Sequence, residues 1–241
     1  MFKREKVAAL VAEFFGTAVL TTVVLTVSRT LGYPYFVGIA AGLTLMVLVS
    51  MIGSTSGAHV NPAVTLSLWS VKKINTIQAI LYVAVQCAGA LVALRLISYL
   101  TGSTANVERA AMDWKVFTAE AVGAFVFIFG IASAIYQKYE GGRLASVIGG
   151  SLFVGVLVAS PASFAVLNPA IALAVVWSTP YFVAPIVGGI LAANIYATLF
   201  AGDKFVLSTF NAKVTGKTTK KATAKKAKKA PAKKAKTTKR K

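Results

Sequence analysis

The chain has 241 residues, 56% of them hydrophobic, and a mean hydropathy of +0.71, which excludes an ordinary soluble domain. Its formal charge is +19, but 14 of the 26 Lys and Arg residues lie between Lys213 and Lys241, where there is no acid. The remaining 12 basic and seven acidic residues leave only +5 for the rest of the chain. The single cysteine, Cys87, excludes an internal disulfide.

Six apolar stretches are long enough to cross a bilayer, whose hydrocarbon core needs about 20 residues per helix. They are residues 7–27, 35–52, 77–98, 116–136, 144–160 and 181–200. Two shorter apolar stretches, residues 57–70 and 163–178, cannot cross. The pattern predicts an all-α membrane protein with three spans and one half-helix in each half. Because three spans reverse the chain's direction, the halves form an inverted repeat, about residues 7–105 and 114–207.

The first basic cluster, Lys3, Arg4 and Lys6, precedes the first span, so the positive-inside rule places the N-terminus in the cytoplasm. Six spans return the C-terminus to the same side. Two later loops predicted to be cytoplasmic also carry basic residues, and we therefore expect an integral protein of the cell membrane with both termini inside. The basic loop residues are Lys72, Lys73, Lys138 and Arg143.

One tripeptide occurs twice, as Asn61-Pro62-Ala63 and as Asn168-Pro169-Ala170. Asn is a favoured N-cap, and Pro is tolerated at the first helical position because its missing N–H would have no partner there. Both short stretches are therefore predicted to be half-helices that begin at the Asn. Two such helices facing each other would place two positive dipole ends and two amides at one point.

Two glutamates share the spacing of this repeat. A separation of 107 residues divides Asn61 from Asn168 and also Glu13 from Glu120, which indicates an internal duplication. Carboxylates inside spans are costly and mark pathways or buried partners. One interpretation is a proton relay in a pump or coupled carrier. The other is that each carboxylate accepts hydrogen bonds from a non-helical loop.

His59, the only histidine, lies two residues before Asn61. A metal site would need ligands that the chain lacks, so none is predicted. A pH gate is conceivable, but a loop residue hydrogen-bonded to the backbone is favoured. The sequence also offers no nucleophile–base pair and no cofactor loop, so we predict neither an enzyme nor a bound cofactor.

The segment Ser56–Thr65, reading SGAHVNPAVT, is very similar to the first pore motif of the aquaporin (major intrinsic protein) family. The motifs around Glu13, Gln86 and Gly188 also resemble that family, and the likeness covers about residues 7–203. It implies six spans with two re-entrant half-helices, a homotetramer with one pore per subunit, and passive permeation of water and small uncharged solutes. It also implies that Glu13, Glu120 and His59 support the pore loops.

In such a pore, Asn61 and Asn168 each donate from an amide to a passing solute oxygen. A water molecule held between two donors cannot donate onward along the file, so a proton wire is interrupted. The positive ends of the half-helices add a barrier to cations.

The family's outer constriction corresponds to Ala41, Val156, Ala165 and Ile171, and here the chain departs from the family pattern. Ile171 stands where the family has Arg. A small, uncharged and apolar ring predicts a wide constriction that passes water, glycerol, urea, ammonia or hydrogen peroxide. An apolar ring can also hinder water by dewetting, so a glycerol, urea or ammonia facilitator with low water permeability is the alternative.

Residues 208–241 are predicted to be a disordered cytoplasmic tail behind a channel domain of residues 1–207. Its densest lysines are Lys225, Lys226, Lys228, Lys229, Lys233 and Lys234. Anionic lipid is the first expected partner and nucleic acid or the ribosome the second, while a solubilising role stays open. Two rival functions are a coupled transporter that uses Glu13 or Glu120 and a membrane anchor that presents a polycation.

Overall fold

The computed structural model describes residues 3–103 and 107–201 and is almost entirely helical there. The helices are α1 (Arg4–Thr30), α2 (Pro34–Ser56), α3 (Pro62–Ser70), α4 (Thr76–Thr101), α5 (Trp114–Tyr136), α6 (Gly141–Ala159), α7 (Pro169–Val175) and α8 (Thr179–Ile195), which continues as a π-helical turn (Tyr196–Phe200). Two short strands, β1 (Glu108–Arg109) and β2 (Val176–Trp177), pair in parallel.

Six of these helices are long and apolar enough to cross a membrane: α1, α2, α4, α5, α6 and α8 with its π-helical turn. The two short helices, α3 and α7, begin at Pro62 and Pro169. The predicted plan of six spans and two half-helices is therefore confirmed. The predicted tail, residues 208–241 with its lysines, lies outside the described residues.

The two predicted short stretches are only partly helical. Residues 57–61, called the first loop, and residues 163–168, called the second loop, are not helical and lead into α3 and α7. Each loop contains two left-handed residues other than glycine, separated by one position. These are Ala58 and Val60 (φ 49° and 43°) in the first loop and Ala165 and Leu167 (φ 52° each) in the second. Such angles are uncommon outside glycine, so the surrounding contacts must hold them.

Glycines bring the long helices into close contact. A Cβ atom at Gly89 of α4 would overlap the carbonyl oxygen of Phe14 in α1, and one at Gly188 of α8 would overlap that of Ala121 in α5. Helices α1 and α4 therefore pack backbone to backbone, as do α5 and α8. This packing places Glu13 and Glu120, one residue before each contact, in the centre of the bundle.

Candidate functional site

The first loop is held by one buried carboxylate. Oε1 of Glu13 accepts hydrogen bonds from the Ser56 hydroxyl (2.7 Å) and the His59 backbone N–H (2.9 Å). Oε2 accepts from the Val60 backbone N–H (2.7 Å) and the Gln86 side-chain amide (2.8 Å). Because a carboxylate has about four acceptor sites, these donors fill it. Glu13 thus binds the loop that carries left-handed Val60.

The second loop is held in the same way. Glu120 accepts from the backbone N–H groups of Val166 (3.0 Å) and Leu167 (2.8 Å). The backbone N–H of Phe164 donates to the hydroxyl of Tyr181 (3.2 Å). Both glutamates are fully buried. The geometry is that of carboxylates supporting non-helical loops.

The tips of α3 and α7 meet through their capping asparagines. In each, Oδ1 accepts the backbone N–H two residues further on, at 2.8 Å for Asn61 and 3.0 Å for Asn168. Each Nδ2 also donates to a carbonyl of the opposite loop. Asn61 donates to Leu167 O (2.9 Å) and Asn168 donates to Val60 O (3.0 Å). One amide hydrogen of each Asn is thereby used by the opposite loop, an exchange that no local pattern in the sequence predicts.

Two cavities lie on either side of these tips. The Ile171 cavity has a volume of about 310 Å³ and is bordered by Asn61, Asn168 and Ile171 among others. The Leu68 cavity has a volume of about 190 Å³ and is bordered by Val64 and Leu68 of α3 among others. Both cavities are bordered by the same three residues, Leu45, His59 and Phe127. The two cavities therefore adjoin at these three residues.

The four residues assigned to the constriction all border the Ile171 cavity, and all four are buried. They are Ala41, Val156, Ala165 and Ile171. None carries a polar side-chain group. The only charged residue bordering this cavity, within the described chain, is the exposed Glu108 of β1. The sequence analysis missed Glu108, because a two-residue strand leaves no hydropathy pattern.

His59 does not use its ring as the sequence analysis expected. Its Nδ1 lies 3.1 Å from the Thr65 hydroxyl, so the ring's partner is a side chain and not the backbone. Its ring also packs edge-on against Tyr82, at 5.3 Å between centroids. The Gln86 amide bonds the same Thr65 hydroxyl at 3.0 Å. No cluster of metal-ligating side chains is found within residues 3–103 and 107–201.

Comparison with known proteins identifies the family. The sequence model of the family described as major intrinsic protein matches residues 2–196. The chain belongs to the major intrinsic protein family. It is 33% identical over 187 residues to aquaporin NIP1-1 of Arabidopsis thaliana, a match that covers 70% of this chain and 63% of that relative. It is 30% identical over 222 residues to aquaporin-1 of Homo sapiens, covering 80% and 82%.

Among solved structures, the aquaglyceroporin from Plasmodium falciparum superposes with a TM-score of 0.68 at 19% identity. The superposition covers 80% of this chain and 96% of that one, and it shows the same fold. The aquaporin-like fold predicted from the sequence is thereby confirmed. Family membership supports a passive channel for water and small solutes, in an integral membrane protein. The roles of individual residues stay predictions.

Proposed function

We propose that this major intrinsic protein is a channel with a wide, apolar constriction, through which water and small uncharged solutes follow their gradients. The observation that carries the proposal is the ring formed by Ala41, Val156, Ala165 and Ile171 on the Ile171 cavity. Two small alanine side chains leave space in the ring. Because no side chain of the ring can donate a hydrogen bond, a solute passing it is selected by size and dehydration cost alone.

Charge selectivity is proposed to lie further along the passage, at the Asn pair. The N-termini of α3 and α7 meet there, and each contributes positive partial charge. The free amide hydrogens of Asn61 and Asn168 donate to a solute oxygen. A neutral solute is therefore accepted, and a cation is opposed, even though the constriction has no Arg.

The coupled-transporter alternative is disfavoured by the contacts of the two glutamates. All four acceptor sites of Glu13 are filled by loop and helix donors. Neither Glu13 nor Glu120 borders the Ile171 or the Leu68 cavity. A carboxylate that carried protons would need exchange with the passage. Uphill accumulation of a solute in sealed vesicles would restore this alternative.

The test is stopped-flow light scattering on proteoliposomes, with water, glycerol, urea and ammonia compared for the native channel and an Ile171→Arg variant. Arg fills the ring and adds donors, so we expect glycerol and urea flux to fall about tenfold, and water flux less, from a barrier increase of about 1.4 kcal/mol. Ile171→Met is the matched neutral control and should keep the glycerol flux. Equal loss of all four fluxes in the Arg variant would refute the wide constriction. Low water flux in the native protein would favour the dewetted facilitator.

Assembly and orientation are further parts of the proposal. We propose a homotetramer with one passage per subunit and with both termini in the cytoplasm. Exposed apolar side chains on the long helices, such as Val11, Phe15 and Val47, are compatible with lipid or with neighbouring copies. Light scattering of the detergent-solubilised protein checks the mass. Protease access to the basic tail in sealed vesicles of known orientation checks the side.

The tail's proposed partner is the anionic inner leaflet, since each Lys near such a surface contributes about 1 kcal/mol. Peptide 208–241 should co-sediment with vesicles containing phosphatidylserine and not with neutral phosphatidylcholine vesicles. Stronger binding to nucleic acid than to anionic vesicles at the same salt concentration would favour the second partner instead.

A further inference from the structure

A buried chain of hydrogen bonds joins Glu13 to the ring of His59, and the direction of each bond can be assigned. It begins at the carboxylate. Four donors, namely Ser56, His59, Val60 and Gln86, fill both oxygens of Glu13. All four groups are assigned as donors, so Glu13 acts as an acceptor towards each of them.

The acceptor role of Glu13 fixes the orientation of the Gln86 amide. The atom that faces the carboxylate must be a donor, so Nε2 lies there, 2.8 Å from Oε2 of Glu13. The same nitrogen lies 3.0 Å from the Thr65 hydroxyl and supplies its second hydrogen to it. The other amide atom, Oε1 of Gln86, is buried and has no hydrogen-bond partner within the described chain. A flipped amide would pair this oxygen with Thr65 but would press it against the carboxylate, which is worse.

The hydrogen bonds of Thr65 in turn determine which nitrogen of His59 carries a proton. Its hydroxyl accepts from Gln86, and its remaining partner in the described residues is Nδ1 of His59, at 3.1 Å. A fully buried hydroxyl needs an acceptor for its hydrogen, and Nδ1 is the acceptor in reach. Nδ1 therefore carries no proton. In a neutral imidazole the proton then lies on Nε2, because the bond made by one ring nitrogen determines the state of the other.

We infer that Gln86 and Thr65 are positioning residues that hold His59 as a fixed Nε2–H donor facing the passage. His59 borders both the Ile171 and the Leu68 cavities, and Nδ1 is already committed. The Nε2 edge of the ring lies beside Gly57, whose φ is +93° and where a Cβ would come within 3.1 Å of Nε2. The donor meets solutes that carry an acceptor oxygen, such as water and polyols, next to the Asn pair. This function rests on the proposed passage, whereas the tautomer does not.

The tautomer can be measured directly because His59 is the only histidine in the sequence. Protein labelled with ¹⁵N in its histidine ring is reconstituted into lipid bilayers and observed by solid-state NMR at neutral pH. The expected spectrum shows one bare nitrogen, Nδ1, and one protonated nitrogen, Nε2. A proton on Nδ1, or an imidazolium, would overturn the inference.

Variants test whether Thr65 is the cause. Thr65→Val removes the hydroxyl and frees Nδ1, so both tautomers should be populated, whereas Thr65→Ser keeps a hydroxyl and should keep the native spectrum. Thr21→Val is the matched control, because Thr21 is a buried threonine of α1 bonded only to its own helix. An unchanged spectrum in a folded Thr65→Val protein would contradict the assigned role. Should Thr65→Val not fold, the native and Thr65→Ser spectra still decide the assignment.

The permeability of the same variants measures the function of the donor. We expect Thr65→Val to lower water permeability per channel by about twofold, because about half of the His59 rings would no longer present the Nε2–H donor, and Thr65→Ser and Thr21→Val to change it little. A native protein that conducts water but has its His59 proton on Nδ1 would contradict this inference and not the proposed function. A native protein with the Nε2–H tautomer that conducts nothing would end the proposed function and leave the assignment standing.

Discussion

The first and second loops share a backbone conformation and differ in some of the side chains around them. Each has a left-handed residue at two alternate positions, a buried glutamate that accepts its N–H groups, and an Asn that caps the following helix. Some of the surrounding polar side chains recur, since Ser56 and Ser163 each accept a backbone N–H of their own loop, whereas others are present in the first half alone. Where the first half has His59 and Thr65, the second has Val166 and Ala172, each 107 residues later.

The third spans of the two halves, α4 and α8, also differ in polarity at an equivalent position. Gly89 and Gly188 make equivalent contacts with a carbonyl of α1 and of α5, and they are 99 residues apart. The same offset places Pro185 opposite Gln86. Because both loops share a buried carboxylate, a capping Asn and a serine, their conformation does not require a histidine, a threonine or a glutamine at these positions. The network of His59, Thr65 and Gln86 is additional, so we attribute it to the treatment of solutes rather than to folding.

The largest loss of stability is expected when the two glutamates, one in each half, are replaced. In a Glu→Gln variant one acceptor oxygen becomes an amide that faces donors. Each carboxylate would lose part of its bonds, and Glu13 also accepts from Gln86, which has no counterpart at Glu120, so we expect destabilisation of about 4 kcal/mol for Glu13→Gln and about 3 kcal/mol for Glu120→Gln. The measurement is the melting temperature and folded yield in detergent. Equal destabilisation would show that the Gln86 donor at Glu13 contributes nothing.

A second pair of variants tests two positions at which the two halves should behave alike. Gly89→Ala and Gly188→Ala each force a methyl group onto a backbone carbonyl that cannot move without its helix. We expect each to cost about 2–3 kcal/mol. Gly150→Ala is the control, because a Cβ there meets no atom within 4 Å. Thermal melts of the three proteins in one detergent give the comparison, and a tolerated Gly188→Ala beside a damaging Gly89→Ala would contradict it.

The smallest expected effect separates two tyrosines that stand in equivalent places. Tyr82 donates to Ser56 O (2.9 Å), whereas Tyr181 accepts the Phe164 N–H (3.2 Å). Replacing either by Phe removes one hydrogen bond, at about 1 kcal/mol each. Tyr181→Phe should be slightly the worse, because an orphaned N–H has no second partner while a carbonyl has two lone pairs. Melting temperatures measured side by side test the order, and a less stable Tyr82→Phe protein would reverse it.

Much of the fold could be predicted from the sequence because it follows from length and local rules. The six spans follow from hydropathy, and the starts of α3 and α7 at Pro62 and Pro169 follow from N-cap preferences. The loops before them could not be predicted. Ala58 and Val60 have no intrinsic preference for the left-handed region and adopt it where Ser56 accepts the N–H of Ala58 and Glu13 accepts those of His59 and Val60.

The site was harder to predict than the fold, since its bonds join residues far apart in the chain. Gln86 reaches Glu13 across 73 positions and Thr65 across 21. No local pattern encodes such a pairing, although a glutamine in an apolar span is itself a signal that a buried partner exists. The bond from Asn61 to the carbonyl of Leu167 is likewise invisible to periodicity.

The exchange of bonds between the two tips has a mechanical consequence. Asn61 donates to the second loop and Asn168 to the first, so the two halves are hydrogen-bonded to each other at the tips of α3 and α7. A gate that closed by shifting either loop would have to break both of these hydrogen bonds, each of which contributes about 1 kcal/mol. It would also leave two buried carbonyl groups without these donors. A movement that leaves both bonds intact would cost less than one that separates the two loops.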